Sequence, residues 1–542
     1  MVRLSRLAIA VSLTTSLSTW NLVAQSARDQ ARLQDLNFLA TQLPKLHANF
    51  FFQLNPADYS AAASQLGAQV STLTDAQFYV GLAQLVAMAG DAHTFVSLGG
   101  SAAAKAGFQT FPLEFRWLDD GVFVTGAAVS YSRALGTQLV RVGDFPIDEA
   151  VARLATMIPH ENDQWLHYMA QQYLKGQQVL QGLNLLPAAA TSPLTFRDRA
   201  GTEFTLNVGT EASAIVPATS PNQASLPQYL QSAGLNYWYT YSAANRLLYF
   251  KYNQCADMPG NPFAAFAAAL LNTLDTNPVD TFVLDFRGNT GGDANLIAPL
   301  GLGLEQRLPA LVVKPRFAVF AAIDKGTFSS GMDDAMQFKQ PIPPGLLPPG
   351  VDVSQLVRVV GEPTGGKPAH YGNVKPFTLP ASQLTGQYST QFFSVPDGVP
   401  PGPSFAPDIA VPLLSADYFA WHDPVLAAML ARWPGTQPGT PPAAPPVSAW
   451  NTAWPPALLP LPSEIYQPCR TKSRLTANPG ASLPPAPRKS TSWCRHLRRQ
   501  ARRPFPSAPP AARSPRATPP SRPPAPASLC CNLPTPRSQA RC

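Results

Sequence analysis

Hydrophobic residues spaced three and four positions apart dominate residues 30–98, which is the spacing of one face of an α-helix. The expected buried face of the first helix consists of Leu33, Leu36, Leu39, Leu43 and Leu46. The same spacing returns at residues 78–88, and Asn55 and Thr74 stand where helix N-caps belong. The pattern therefore predicts an N-terminal helical domain over residues 25–105.

The pattern changes to alternating apolar and polar residues in the next segment, residues 106–215. Alternation predicts strands at residues 112–117, 122–125 and 136–143, the second of them after an Asp-Gly turn. A helix is predicted at residues 147–157. The segment is therefore expected to be β-rich, and strands and a helix in this order are compatible with a plain scaffold.

Buried strands and helices alternate in residues 216–434. Strands rich in Tyr and Trp are predicted at residues 236–253, an amphipathic helix at 262–274 and an apolar strand at 279–286. Because a strand, a helix and a second strand in this order pack as a parallel unit, we predict a parallel α/β core.

Composition separates the last segment, residues 435–542, from the rest of the chain. It holds 26 prolines, 15 Lys and Arg, and one acid, Glu464, in 108 residues. Such a sequence buries too little apolar surface to offset the entropy of ordering, so we predict a disordered tail. The composition is compatible with a basic linker that contacts anionic cell-surface polymers, and equally with a frameshifted C-terminus.

Charge and cysteines follow the same division. The net charge is +8, of which the tail supplies +14, so the remainder is mildly acidic at −6 and predicts no nucleic-acid-binding surface. Five of the six cysteines lie in the tail, and only Cys255 lies in the body. We therefore expect no internal disulfide in the body, and the cysteine spacing predicts no metal site.

The first 24 residues have the pattern of a secretory signal peptide. Arg3 and Arg6 precede a short apolar segment at residues 7–17, and Ala24 offers a small residue at the cleavage site. An uncleaved anchor helix is the alternative, but the apolar segment is short for a membrane span. We predict export to the periplasm or the extracellular space, with no membrane span in the mature form.

Candidate chemistry lies in two segments of the predicted core. Residues 327–331 (TFSSG) contain Ser329, and residues 361–368 (GEPTGGKP) contain Lys367, 38 positions later. A serine hydroxyl needs a neighbouring base to become a nucleophile, and a lysine can be that base if burial lowers its pKa. The two segments predict an acyl-transfer site, although Ser329 is also compatible with a helix N-cap and Lys367 with a solvated loop.

A glycine-rich loop adds a candidate oxyanion hole. The apolar strand at 279–286 continues directly into residues 288–293 (GNTGGD). Glycines let backbone N–H groups approach a ligand closely, and converging N–H groups stabilise an oxyanion. Gly291 and Gly292 are therefore the candidate residues.

Three segments resemble the signature blocks of the C-terminal-processing (tail-specific) serine peptidase family: residues 283–292 (VLDFRGNTGG), 327–330 (TFSS) and 361–367 (GEPTGGK), in this order. A looser similarity extends over about residues 33–430. The resemblance implies an α/β fold with an N-terminal helical region, a PDZ-like β-rich module, and a ClpP/crotonase-like α/β catalytic core followed by the tail. It also implies a peptide or protein substrate and no metal or organic cofactor.

The resemblance assigns roles to individual residues. Ser329 matches the family nucleophile, with Ser330 as its main competitor and as the residue whose N–H helps to form the oxyanion hole. Lys367 matches the lysine of the bacterial processing enzymes. His93, within residues 91–94 (DAHT), is similar to the histidine that other relatives pair with a distant glutamate. The sequence leaves both bases open.

Two positions depart from the family pattern. Relatives often have glutamate where this chain has Met332, and the bacterial enzymes have glutamine where it has Tyr371. His370 is expected to shape the site or to bind substrate. The sequence thus predicts an exported serine peptidase, with a non-catalytic peptide-binding relative, or an esterase that uses the same serine, as the alternatives.

Overall fold

The computed structural model describes residues 27–218, 226–314, 316–342, 347 and 356–431. The predicted signal peptide (1–24) and the predicted disordered tail (435–542) lie outside these residues. Among the residues that are described, no helix combines the length and the apolar character that a membrane crossing requires.

Helices form the N-terminal part of the described chain, as predicted. Their bounds are 27–41 for α1, Leu43–Leu46 for α2, Pro56–Ala68 for α3, Asp75–Ala87 for α4 and Gly100–Lys105 for α5, with a short strand β1 at Phe95–Val96. The Asn55 side chain accepts a hydrogen bond from the N–H of Ala57 at the start of α3. Thr74 and Gln77 form a capping box at the start of α4, so both predicted N-caps are confirmed.

The predicted buried face of the first helices is correct in its centre and wrong at its edges. Leu36, Leu39 and Leu43 are buried, whereas Leu33 and Leu46 are 42% and 41% exposed. At about 100° per residue, Leu33 and Leu46 fall at the two edges of the apolar stripe, where a neighbour covers them least.

An antiparallel sheet follows, as the alternating pattern predicts. Its strands are β2 Leu113–Leu118, β3 Gly121–Ala128, β4 Gln138–Val142, β5 Phe145–Pro146, β6 Ser192–Arg197, β7 Glu203–Val208 and β8 Ile215–Pro217. They are ordered β2-β3-β4-β6-β7, with β5 paired to β4 and β8 to β3. The helices of this part are α6 Ile147–Ala155, α7 Asp163–Tyr173 and α8 Gln177–Gly182, with a 3-10 turn at Val129–Ala134.

The core is a six-stranded sheet in the order β16-β13-β12-β11-β10-β9. Its strands are β9 Tyr237–Ser242, β10 Leu247–Tyr252, β11 Thr281–Asp285, β12 Ala318–Ile323, β13 Val357–Gly361 and β16 Ile409–Ala410. All neighbours are parallel except the edge strand β9, so the predicted parallel core is confirmed with one antiparallel edge. The helices around it are α9 Phe263–Thr276, α10 Ala298–Leu311, α11 Ser330–Met336, α12 Ser415–Phe419 and α13 Pro424–Ala431.

Both faces of this sheet are covered, which explains its uninterrupted apolar strands. Every residue of β10, β11 and β12 is buried. Phe263 and Phe266 of α9 pack on one face, together with Leu300 of α10. Val425 and Met429 of α13 pack on the other. A parallel sheet with helices on both faces needs apolar side chains on both faces of each strand.

A third sheet joins distant parts of the chain. It has the order β1-β15-β14, where β14 is His370–Thr378 and β15 is Thr385–Phe393. Strand β1 follows the first helices and pairs antiparallel with β15, with Phe95 opposite Gln387. This pairing brings the turn at residues 91–94 beside the start of β14.

Candidate active site

The predicted site segments meet at one edge of the six-stranded sheet. Strands β11, β12 and β13 are parallel neighbours, so their carboxyl ends lie side by side. The glycine loop follows β11, the segment with Ser329 follows β12, and the segment with Lys367 follows β13. The N–H of Gly365 also donates to the carbonyl of Thr327, which ties the last loop to the serine segment.

Ser329 occupies a strained position at the start of α11. It has φ 49° and ψ −134°, a positive φ that non-glycine residues rarely adopt. It stands at the N-cap, as predicted, but its side chain makes no capping hydrogen bond. Such strain costs on the order of 1–3 kcal/mol and is concentrated at functional sites. The conformation leaves the hydroxyl free of any partner in the described chain.

The glycine loop is in direct contact with the serine segment. Gly291 has φ +104°, and a Cβ at this position would lie 2.7 Å from Ser329 Cβ and 2.9 Å from the Ser330 nitrogen. The Gly291 N–H donates to Asn289 Oδ1 at 2.9 Å, and the Ser330 hydroxyl donates to the Gly292 carbonyl at 2.8 Å. The N–H groups of Gly292 and Ser330 have no acceptor in the described residues. These two are therefore the free donors beside Ser329.

A buried ionic network holds the base of the glycine loop. Asp285 accepts hydrogen bonds from Arg287 and from the Tyr249 hydroxyl, both at 2.5 Å. Arg287 also forms two 2.9 Å hydrogen bonds to Asp423, and Lys251 donates to the Arg287 carbonyl at 2.6 Å. Burial raises the pKa of Asp285, but the charges of Arg287 and Lys251 outweigh it and hold the pKa at about 2. No pattern in the sequence indicated Asp423, which lies 136 positions from Arg287.

His93 lies between two other rings and is 5% exposed. Its ring stacks on Phe328, the residue before Ser329, at 4.4 Å between centroids, and on His370 at 5.4 Å. Neither ring nitrogen has a hydrogen-bond partner within the part of the chain that the structure describes. Burial lowers the pKa of His93 to about 3, with His370 adding to the effect and Asp91 opposing it. The imidazole is therefore neutral near neutral pH, with a free lone pair.

Asp91 organises the turn that carries His93. Its Oδ2 accepts hydrogen bonds from the side chains of His47 at 2.9 Å, Thr94 at 2.5 Å and Ser389 at 2.6 Å. Its Oδ1 accepts from the His93 backbone N–H at 3.0 Å and lies 3.9 Å from His93 Nδ1. Burial raises the pKa of Asp91, but these hydrogen bonds and His93 lower it overall. Asp91 thus holds the turn rather than the imidazole ring.

Glu161 is a residue of the site that the sequence did not indicate. It lies between α6 and α7, and its Oε1 accepts a 3.5 Å hydrogen bond from the N–H of Ala92, while Oε2 has no partner. Burial and the charge of Asp91 raise the pKa of Glu161 to about 8, although the Ala92 N–H and the charge of Lys367 oppose the shift.

Lys367 lies in the loop between β13 and β14. Its side chain is only partly buried, and within the described residues its ammonium group has no hydrogen-bond or ion-pair partner. Its carbonyl accepts a 3.0 Å hydrogen bond from Nδ1 of the buried His370. Lys325, the other lysine near the serine segment, is paired with Glu362 at 2.9 Å.

A row of stacked rings orients His93 and the residue before the nucleophile candidate. Trp165 of α7 stacks on Phe328 at 3.7 Å and 12°, and Tyr168 stacks on Trp165 at 5.3 Å. The complete row is Tyr168, Trp165, Phe328, His93, His370 and Phe393. The row limits how far the His93 ring can turn.

The two departures from the family pattern have local explanations. A Cβ at Gly366 would lie 2.7 Å from the Met332 sulfur, so this methionine packs beneath the glycine-rich loop. The Tyr371 ring packs against Phe52 at 4.7 Å and Phe392 at 5.0 Å between centroids. Both positions therefore serve packing, and neither offers a carboxylate or an amide to the site.

Comparisons with known proteins address the fold. No family model and no curated protein matches the chain. A crystal structure of a point mutant of CPAF superposes with a TM-score of 0.50 at 12% identity, covering 73% of this chain and 95% of that one. The chain has the fold of CPAF. Mature CPAF complexed with lactacystin superposes with a TM-score of 0.49 at 13% identity, covering 75% of this chain and 98% of that one. The photosystem II D1 C-terminal processing protease superposes with a TM-score of 0.31 at 12% identity, covering 70% of this chain and 93% of that one.

The likeness to CPAF confirms the predicted fold class. The alignment covers nearly the whole of the CPAF chain, so it takes in the helical, the β-rich and the α/β parts together. At 12% identity it bears on the fold alone. The chemistry rests on the residues described above.

Proposed function

We propose that the protein is a serine peptidase that hydrolyses peptide bonds of peptide or protein substrates through an acyl-enzyme. One observation carries the proposal: the strained Ser329 has an unpartnered hydroxyl beside the free N–H groups of Gly292 and Ser330. The Ser330 hydroxyl is bonded to a carbonyl, which favours Ser329 as the nucleophile.

In the proposed mechanism, Ser329 Oγ attacks the scissile carbonyl while its proton passes to a neutral base. The N–H groups of Gly292 and Ser330 stabilise the oxyanion of the tetrahedral intermediate. The protonated base then gives its proton to the departing amine, which leaves the acyl group on Ser329. Water, deprotonated by the same base, hydrolyses the ester and regenerates the serine.

His93 is the better supported base. Its ring is neutral and unpartnered, and it lies against Phe328, immediately before Ser329. The Lys367 side chain is partly exposed, and its ammonium group has no hydrogen-bond partner among the described residues that would direct it at Ser329. We propose that Lys367 contributes positive charge near Glu161, whose pKa it lowers. His370 positions the His93 ring by stacking on it.

Export and the domain limits are also proposals. Export rests on residues 1–24 alone. The limits 25–105, 106–215 and 216–434 rest on the changes of pattern along the chain. In the β-rich part, we propose that the sheet supports binding of the substrate chain.

Labelling with a fluorophosphonate probe tests the proposal. We expect the wild type to be labelled at Ser329, Ser329→Ala to remain unlabelled and folded, and Ser330→Ala to remain labelled. A wild type that shows no labelled serine contradicts the proposal and favours a non-catalytic peptide-binding protein. Matched amide and ester substrates then separate a peptidase from an esterase, because a peptidase must also cleave the amide.

A further inference from the structure

Three side chains with metal-binding atoms meet beside the row of stacked rings. Asp91, His93 and Glu161 each offer one ligand atom, and these atoms lie within 4.8 Å of one another. Asp91 and His93 share the turn at residues 91–94. Glu161 reaches this turn from another part of the chain and is docked on the N–H of Ala92.

The cluster contains buried polar atoms that no group of the described residues satisfies. Both ring nitrogens of His93 and Oε2 of Glu161 are buried and lack a hydrogen-bond partner. Buried polar atoms in folded proteins nearly always have a partner, so three such atoms in one cluster call for an explanation. A bound cation satisfies the carboxylate oxygen and one ring nitrogen at once.

We propose that Asp91, His93 and Glu161 bind one Zn²⁺ ion. An imidazole nitrogen and carboxylate oxygens are ligands that zinc accepts, and three protein ligands leave the fourth tetrahedral position open. Binding of the ion displaces the proton that burial favours on Glu161, and the two carboxylates then balance the charge of the ion. Ligand atoms at tetrahedral corners, with bonds of about 2.0–2.1 Å, stand roughly 3.3 Å apart. Asp91 Oδ1 and His93 Nδ1 are 3.9 Å apart, and no two of the three ligand atoms are more than 4.8 Å apart, so each pair has to close by at most about 1.5 Å to complete the site.

The surroundings of Asp91 suit this role. His47, Thr94 and Ser389 all bind its Oδ2. Oδ1 accepts only the His93 backbone N–H and keeps a lone pair on the side of His93. Groups that hold a metal-binding carboxylate in this way raise the affinity of the site, because the ligand does not have to be ordered upon binding.

Zinc at this site affects acylation of Ser329, and this part of the inference rests on the proposed function. Zinc bound at Nδ1 of a neutral imidazole leaves the ring proton on Nε2. A ring with Nε2 protonated has no lone pair to accept the proton of Ser329. Zinc at this site is therefore a reversible inhibitor of acylation.

The test measures zinc binding directly, by competition with a chromophoric chelator, and needs no catalytic activity. Free thiols are zinc ligands in general, so the full chain is used with Cys469→Ser, Cys494→Ser, Cys530→Ser, Cys531→Ser and Cys542→Ser in every protein compared. We expect one Zn²⁺ per chain, and at least about 10–100-fold weaker binding in Glu161→Gln and in His93→Gln, given that loss of even outer-shell groups costs this much. The matched control is Glu149→Gln, because Glu149 is half-exposed on α6 and paired with Arg153. Absence of binding, or equal binding in Glu161→Gln and the control, overturns the site.

A second measurement addresses inhibition. Zn²⁺ should slow fluorophosphonate labelling of the same protein, a chelator should restore it, and Glu161→Gln should need at least about tenfold more zinc for the same relative slowing. If zinc binds without slowing the labelling, the proposed inhibition is wrong and the proposed zinc site still stands. A protein that is never labelled, with or without zinc, contradicts the proposed peptidase, while the binding measurement still decides the site.

Discussion

The Gly291→Ala substitution is expected to disable the site without unfolding the protein. A Cβ at this position would lie 2.7 Å from Ser329 Cβ, 2.9 Å from the Ser330 nitrogen and 3.2 Å from the Phe328 carbonyl oxygen. None of these atoms can move aside by rotating a side chain. Carbon atoms in contact are about 3.5–4.0 Å apart, so Ser329 has to move by roughly 0.8 Å or more.

The magnitude follows from two separate effects. The positive φ of Gly291 strains an alanine by about 1–2 kcal/mol, which lowers the free energy of unfolding. A displacement of about 1 Å at the reacting atom costs on the order of 100-fold in rate, and loss of one oxyanion donor costs about 100–1,000-fold. We therefore expect the rate constant of fluorophosphonate labelling to fall by at least about 100-fold.

Gly288→Ala is the matched control within the same loop. Gly288 has φ +73°, but a Cβ there meets no heavy atom within 4 Å. This variant carries the backbone strain without the collision, so it should lose about 1–2 kcal/mol of stability and keep its labelling rate. Urea unfolding and labelling kinetics measure the two effects. A Gly291→Ala protein that labels as fast as Gly288→Ala would refute the proposed placement of the glycine loop.

Three further predictions concern the base, the ionic network and the tail. His93→Ala should lower the rate of acylation by about 100–10,000-fold, the usual contribution of a general base, whereas Lys367→Ala should only weaken it. If Lys367→Ala loses more of the labelling rate than His93→Ala in the same assay, lysine is the base. Asp285→Asn should lower the free energy of unfolding by about 3–5 kcal/mol in urea, because it leaves Lys251 buried without its carboxylate partner and leaves Arg287 with Asp423 alone, and a near-wild-type midpoint contradicts this. Since the folded pKa of Asp285 is about 2, below the ordinary aspartate value of 3.8, its stabilisation is present above pH 3.8 and is lost as the pH falls toward 2, and Asp285→Asn should lack this acid-dependent loss. Removing residues 435–542 should leave unfolding and labelling unchanged, and aggregation or loss of labelling would show that the tail packs on the body.

Local patterns were enough to predict much of the fold. The helix N-caps at Asn55 and Thr74 and the strand–helix–strand order of the core follow from side-chain periodicity and capping, which depend on neighbours a few positions away. The parallel arrangement then predicts that the loops after β11 and β12 meet, so Gly291 and Ser329 come together without further information. Leu33 and Leu46 show the limit of this reasoning, since edges of an apolar stripe are covered only if a neighbour reaches them.

The surroundings of the candidate base were decided by tertiary structure alone. His93 reaches the core because β1 pairs with β15, almost 300 residues further along the chain. The packing of the loop before α7 brings Glu161 to the turn that carries His93. No periodic rule relates the positions of Glu161 and His93 in the sequence. The sequence indicated both Lys367 and His93 as candidate bases, but whether a side chain can act as a base depends on its burial and on the charges that the fold brings near it. Burial of His93 and partial exposure of Lys367 are therefore properties of the folded chain, and no local pattern contains them.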